Sequence, residues 1–313
     1  MATGLSTDAI RSAVESAHAA GKDLPGGVNA SYIPYLAKVP SSLCGLAVAT
    51  VDGELFEAGD TRFEFAIESI SKVFTLCRVI DEIGAPALRQ KVGAEPTGAP
   101  FNSVIAIELH KGKALSPLVN AGAMSTASLV TAATRDEHWQ KILDTQSDFA
   151  GRPIALNDEV FKSESDTNFH NRAIAWLLYS YGTMYCEPMR ACDVYTAQCS
   201  TAITTVDLAV MGATLANGGV NPRTGRRCMK AENVPHVLAE MTMEGLYDTA
   251  GDWFYQVGLP GKSGVGGGIV AVAPGKCAIA GFSPPLDPIG NSVRGQAMVK
   301  QVAAELGLSV LKG

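Results

Sequence analysis

The stretch FAIESISKVF, residues 65–74, decides how this chain folds and what it does. It sets Ser69 three places before Lys72, between two apolar runs. On a helix, positions i and i+3 share a face, so the hydroxyl and the amine can meet. A lysine that has lost its proton can take the proton of that hydroxyl and leave a nucleophile. The same spacing suits two polar residues on a solvated helix face, and S-x-x-K also arises by chance. A second copy, Ser309 to Lys312, lies near the C-terminus and carries no function. The rest of the chain has to choose.

Across 313 residues the chain is 47% hydrophobic and 18% charged, the balance of a globular protein with a large core. That length suits one large domain or two interleaved ones. A net charge of −6 without basic blocks argues against nucleic acid as a partner. Residues 1–23 read as an amphipathic helix with a Ser6/Thr7 cap and a Gly21 stop, not as a signal peptide. No apolar run reaches membrane-spanning length, so no membrane partner is expected. Seven cysteines, at 44, 77, 186, 192, 199, 228 and 277, are odd in number and irregular in spacing. They include no C-x-x-C and no His/Cys zinc pattern, which predicts reduced buried thiols in a cytoplasmic protein and no metal. Of the histidines, only His170 stands near polar chemistry.

Along the chain, SLCGLAVATVDGELFEAGD (42–60) reads as two strands joined at Asp52-Gly53. Ser69 then opens a helix expected over 69–84, where free N–H groups and the helix dipole favour an anionic oxygen. From 85 to 215 the chain reads as helices and loops, with GAEPTGAPFNS (93–103) a loop. VDLAVMGATLANGG is a helix stopped at Asn217-Gly218-Gly219. Strands return as FYQVGL (254–259), GGIVAVAP (267–274) and CAIAGFSP (277–284), and a last helix is expected over 292–306. The expected fold is therefore α+β. An antiparallel sheet from both chain ends, flanked by helices, forms an α/β lobe of about 1–75 and 215–313 within one unit, 1–313. An inserted helical lobe covers about 76–214, and catalytic residues are expected between the lobes.

A second signal supports Ser69. Lys262-Ser263-Gly264 lies just before the returning strands. In serine enzymes of the penicillin-binding and class A β-lactamase type, S-x-x-K is followed much later by K-[ST]-G. Glycines 264 and 266–268 would let a substrate carbonyl approach the backbone, although a glycine-rich turn into a strand is the plain alternative. The middle element of that signature, S-x-N or Y-x-N, is absent. The expected substrate is not a β-lactam.

Eight blocks then occur in order: SYIPYLA, VGAEPTGAPFNS, SPLVNAGA, SESDTNFHNRAIA, TLANGGVNPRTG, GLYDTAG, GLPGKSGVGGG and SPPLDPIGNSVRG. Through them, from about residue 25 to 305, the chain resembles the serine-dependent glutaminase family in its short bacterial form. The resemblance implies hydrolysis of L-glutamine to L-glutamate and ammonia through an acyl-serine, on a β-lactamase-like fold, without metal or organic cofactor. It also implies a homodimer or homotetramer. By motif, Ser69 would be the nucleophile, Lys72 its base, and Tyr32 and Tyr247 the tyrosines beside it, with Lys262 from K-S-G. Asn120, Glu164, Asn171 and Tyr195 match glutamine-holding positions. The N–H groups of Ser69 and Val265 would form the oxyanion hole.

These residue types suit the substrate independently. Glutamine is a zwitterion ending in a neutral amide, so it needs an anion for its ammonium and donors for its carboxylate. Glu164 with the asparagines and tyrosines offers both. Alone, Glu164 would also suit a solvated helix charge and Asn120 a turn. Four positions depart from the family pattern. Glu68 replaces a glutamine and is placed to pair with Lys72 or Lys262. His170 replaces an arginine, Asn168-Phe169 replaces Gly-Asp, and a lysine upstream of Tyr32 is missing. Two alternatives stay open on the sequence: a β-lactamase-like or esterase hydrolase, and a non-catalytic amino-acid-binding protein.

Overall fold

The structure, a computed structural model, describes residues 4–312; positions 1–3 and 313, the extreme ends of the expected 1–313 unit, lie outside the described residues. Thr7–Gly21 (α1) buries Ile10, Ala13, Val14 and Ala17, the spacing of one helical face. Ser6 stands at its N-cap as expected, but its side chain makes no capping bond. Gly45–Thr50 (β1) and Leu55–Gly59 (β2) form the hairpin, with Gly53 at φ 88° in the turn. The short Phe65–Ala66 (β3) leads into a 3₁₀ turn, Glu68–Ile70, and then Ser71–Ile83 (α2). Ser69 thus sits in the tight turn ahead of the α-helix, not inside it.

The middle of the chain is helical. It runs through Ala85–Lys91 (α3), Val104–Leu109 (α4), Asn120–Ala127 (α5) and Arg135–Ala150 (α6). After Ala155–Leu156 (β4) come Asp158–Ser165 (α7), Phe169–Ser180 (α8) and Pro188–Cys199 (α9). Thr201–Ile203 (β5) pairs with both β3 and β4. This small sheet ties the Ser69 turn to α7 and α9, and the sequence reading did not anticipate it. Thr205–Ala216 (α10) starts with a reciprocal Thr204–Asp207 capping box.

The chain then returns through Val234–Glu244 (α11) and Ala250–Val257 (α12) to Gly261–Ser263 (β6), Gly268–Ala273 (β7) and Cys277–Phe282 (β8), ending in Val293–Glu305 (α13). The expected strand FYQVGL is corrected: most of it lies in α12. Ala250, Trp253 and Val257 are its buried residues, at helical spacing, and Gly258 ends it in the left-handed region. Five strands form one antiparallel sheet in the order β2-β1-β8-β7-β6. Alternate residues divide between two cores. Leu46, Val48, Ile269, Ala271 and Ile279 pack with α1, α12 and α13, while Ala47, Ala49, Val270, Val272 and Ala280 pack with α2 and α10. Both faces are covered, which is why these strands read as nearly unbroken apolar runs. Among the described residues no helix is long and apolar enough to cross a membrane.

Candidate active site

The site begins where backbone strain concentrates. Glu68 and Tyr247 are non-glycine residues with positive φ, 52° and 55°. Such positions cost on the order of 1–3 kcal/mol each and cluster at functional sites. The K-S-G turn packs directly against the first of them. A Cβ on Gly264 would meet Ile67 O at 2.8 Å, and one on Gly266 would meet Ala66 O at 2.2 Å. These two glycines were expected to admit a substrate carbonyl. Their contacts show that they admit the chain's own segment 66–68, which locks the Ser69 turn onto edge strand β6.

The Tyr247 hydroxyl donates to Ser263 O at 3.4 Å and lies near the Ser69 hydroxyl. Lys72 is 1% exposed and donates to Asn120 Oδ1 at 2.7 Å and to Leu118 O at 3.3 Å. Among the described residues no direct Ser69–Lys72 hydrogen bond is formed, because the Lys72 amine is turned to Asn120 and Leu118. Asn120, at the start of α5, is a hub. Its Oδ1 also accepts from the Tyr195 hydroxyl at 3.0 Å, and its Nδ2 donates to Asn171 Oδ1 at 3.0 Å. Burial pushes the Lys72 amine down to about 8, against the opposing pull of Cys199, Glu68 and Glu244. Lys262 is held well below the usual lysine range, first by burial and then by the charge of Lys72.

Lys262 is completely buried and donates to Gly245 O at 2.9 Å and to Ser263 O at 2.6 Å. Its ammonium lies 4.5 Å from the centre of the Tyr247 ring. It thus ties the backbone at Gly245 to the K-S-G turn beside Tyr247. Val265 follows in the same turn, against Gly290 and beside Tyr247. The Ser263 hydroxyl is held by Asn291 Oδ1, and Asn291 Nδ2 reaches Thr249 Oγ1 at 3.1 Å. Asn291, fully buried, was missed in the sequence reading. Its position within the block SPPLDPIGNSVRG was the available signal.

The cleft itself is a cavity of about 260 Å³ lined by Tyr32, Phe101, Asn120, Glu164, His170 and Asn171, among others. A larger open groove of about 570 Å³, beyond Tyr35 and Lys162, contains none of the expected site residues. Tyr32 is 59% exposed at the cleft mouth, yet its hydroxyl is pushed far up by burial and by Tyr247, Glu68 and Glu164. His170 holds the loop 93–103 by a 2.7 Å contact to Asn102 O. Phe101 of that loop packs on Tyr247 at 4.8 Å between ring centres.

Glu164 on α7 and Glu68 meet. Burial pushes each carboxyl up, and Glu68 is pushed up as well by the charge of Glu164 and a hydrogen bond with it. The sequence reading expected Glu68 to pair with Lys72 or Lys262, and that expectation is corrected. Lys72 acts on it only at a distance, and Glu68 is not among the groups acting on Lys262. Ser200, not foreseen, also reaches Glu164 Oε1 at 3.2 Å. The seven cysteines are free thiols, and Cys199 is buried against Ser71.

Comparisons with known proteins bear on the chain as a whole. A family model described as Glutaminase matches residues 27–311. The chain is 65% identical over 302 residues to a glutaminase of Brucella canis, covering 96% of this chain and 95% of that protein. A glutaminase of Mycobacterium ulcerans is 63% identical over 308 residues, 98% of this chain and 96% of that protein. A solved structure described as a probable glutaminase, ybaS, superposes with a TM-score of 0.98 at 59% identity, over 99% of this chain and 100% of that chain. A probable glutaminase from Bacillus subtilis complexed with 6-diazo-5-oxo-L-norleucine matches with a TM-score of 0.85 at 30% identity, over 98% of each.

Proposed function

This chain belongs to the glutaminase family and hydrolyses L-glutamine to L-glutamate and ammonia, and we propose that Ser69 carries the reaction through an acyl-enzyme. The observation that carries the proposal is Lys72. Its amine is buried, meets only neutral oxygens, and titrates near about 8, so a neutral base is available close to the nucleophile turn. Ser69 Oγ attacks the amide carbon while its proton passes to Lys72. The developing oxyanion faces the N–H groups of Ser69 and Val265. The proton then returns by way of Tyr247, which stays neutral because burial raises it, to the departing nitrogen, and ammonia leaves. Water attacks the ester carbon, Lys72 again takes the proton, and Ser69 is restored as glutamate departs.

Recognition of the other end of glutamine falls to Glu164 for the ammonium and to Asn171 with Tyr32 for the carboxylate. Asn120 and Tyr195 orient Lys72 and complete that wall. The division into an α/β lobe of about 1–75 and 215–313 and a helical lobe of about 76–214 belongs to the same reading. It is supported by where the residues come from: Ser69, Lys72, Tyr247, Lys262 and Val265 from the first, and Asn120, Glu164, Asn171 and Tyr195 from the second. Self-association into a homodimer or homotetramer is supported by the exposed Ile105 and Leu109 on α4 and Phe169 and Trp176 on the adjoining α8. A cytoplasmic location is supported by the free thiols.

The test is ammonia release by Ser69→Ala. Loss of the hydroxyl at an unchanged melting temperature should lower hydrolysis by about 10⁴-fold or more. Appreciable turnover by the alanine variant rules Ser69 out.

A further inference from the structure

We propose that Glu68 is a positioning residue for the substrate ammonium: it shares one proton with Glu164, so that Glu164 meets glutamine as a single, fixed carboxylate. The inference rests on the assignment of Glu164 to the ammonium and goes beyond it. Glu68 is 4% exposed and Glu164 is 9% exposed, and their carboxyl groups are hydrogen-bonded to each other. Two carboxyls in contact away from water cannot both ionise without strong repulsion, so one proton stays between them.

Which side holds the proton follows from the surroundings. Glu68 Oε1 is buried with no hydrogen-bond partner among the described residues, so that oxygen lacks the donors a buried carboxylate needs. Glu164 is differently placed, since it lines the cleft. The Ser200 hydroxyl has one hydrogen and lies closer to Thr196 O, at 2.8 Å, than to Glu164 Oε1, at 3.2 Å. Glu68 is therefore the donor that fixes Glu164. Burial, and then the charge of Glu164, push the Glu68 carboxyl up, in keeping with that placement.

No neighbouring charge takes over this role. Lys72 on α2 faces Glu68, but its hydrogen bonds go to Asn120 and Leu118. Cys199 and Tyr195 on α9, Tyr247 after α11, and Tyr32 at the cleft mouth also face the pair, and burial keeps each of them protonated. With one proton the pair carries one negative charge for one ammonium. When the shared proton is lost the pair carries two, and repulsion drives the carboxylates apart.

The experiment compares Glu68→Gln, Glu68→Leu and Glu164→Gln. Glutamine at 68 supplies a donor that cannot be lost with rising pH; leucine supplies none. Both place a side chain on the same strained backbone. From about pH 6.5 to about pH 9.5, the ratio of wild-type KM to Glu68→Gln KM should grow by about fivefold or more, as the charge-assisted bond is lost in one enzyme only. The substrate's own ammonium titrates equally for both and cancels. Glu68→Leu should have a KM about tenfold or more above that of Glu68→Gln, with a smaller change in kcat. A constant KM ratio across the pH range, or equal KM values for the leucine and glutamine variants, overturns the proposal. Glu164→Gln separates the two layers. If its KM matches wild type, Glu164 does not hold the ammonium and both readings fall. If its KM rises while either Glu68 comparison fails, only the role of Glu68 falls.

Discussion

At the scale of single residues, the Ser69 turn and both buried lysines were legible because S-x-x-K and K-S-G are local patterns with a mechanism attached. Their actual partners were not. Lys72 finds Asn120 across 48 positions, and Ser263 finds Asn291 across 28. Such contacts depend on how the chain folds back, which no window of sequence contains. The role of Lys72 makes a prediction that its surroundings sharpen. Its pKa is depressed by burial, and catalysis needs the neutral amine. The rate should therefore rise with pH and level off above about 8, as Lys72 loses its proton. Lys72→Arg should lose this limb and nearly all activity, because a guanidinium stays protonated at every working pH. The pH profile of kcat for the two proteins, at saturating glutamine, checks it. An active arginine variant would assign the base to Tyr247 or Tyr32.

At the scale of elements, the sheet strands were legible from their apolar runs, and α10 from its glycine stop. FYQVGL was misread because four or five apolar residues fit a strand or a short helix equally well; what decided was Trp253 and Ala250 one turn earlier. The small sheet was invisible for a different reason, since two- and three-residue strands carry no periodicity. Helix α11 shows how an element can carry two separate constraints. Glu240 and Glu244 sit one turn apart and both are buried. Glu244 accepts from Thr97 N at 2.8 Å and Thr97 Oγ1 at 3.0 Å, latching the loop that carries Phe101 and Asn102 into the cleft. Glu244→Gln should raise KM by about threefold to tenfold through the loosened loop. It should also move the Lys72 limb slightly to lower pH, because one of the groups that hold Lys72 up is gone. A higher KM with an unmoved limb would deny the electrostatic half.

Glu240 bears on stability instead, and its prediction also belongs to α11. Burial raises its carboxyl to about 8, with Ser116 Oγ as a weak partner at 3.4 Å. A raised folded pKa contributes stability that is fully present below the unfolded carboxyl value and is lost as pH climbs through about 8. Glu240→Gln cannot ionise, so it should be more stable than wild type near pH 8, by on the order of 1–2 kcal/mol, and should lose that advantage in mild acid. Thermal melts at the two pH values decide. A glutamine variant that melts no higher at the alkaline end would mean Glu240 finds water or a cation when it ionises.

At the scale of the whole molecule, the β-lactamase-like α+β fold was legible because strand-like runs occupied both ends of the chain and helical ones the middle. The shape of the cleft was not, since it is set by loop 93–103 and by the distance between groups drawn from far-apart segments. That distance is what selects the substrate. On the proposed assignment, Glu164 and Asn171 hold the amino-acid end, while the turn carrying Ser69 and the turn carrying Val265 hold the amide carbonyl. Both anchors are rigid: α7 is tied to the nucleophile turn through β3, β5 and β4, and the K-S-G turn is packed on segment 66–68 without room for a side chain. A substrate one methylene shorter cannot satisfy both ends. Asparagine bound by its ammonium would leave its amide carbon roughly 1 Å short of Ser69, and a misplacement of that size costs about 10²-fold in rate. The missing apolar contact adds only about 1 kcal/mol. The kcat/KM for glutamine should therefore exceed that for asparagine by at least about 10²-fold, measured as ammonia release from each amide under matched conditions. Comparable values would mean that the amino-acid end slides within the cleft, and that the spacing between the two anchors does not set the length of the substrate.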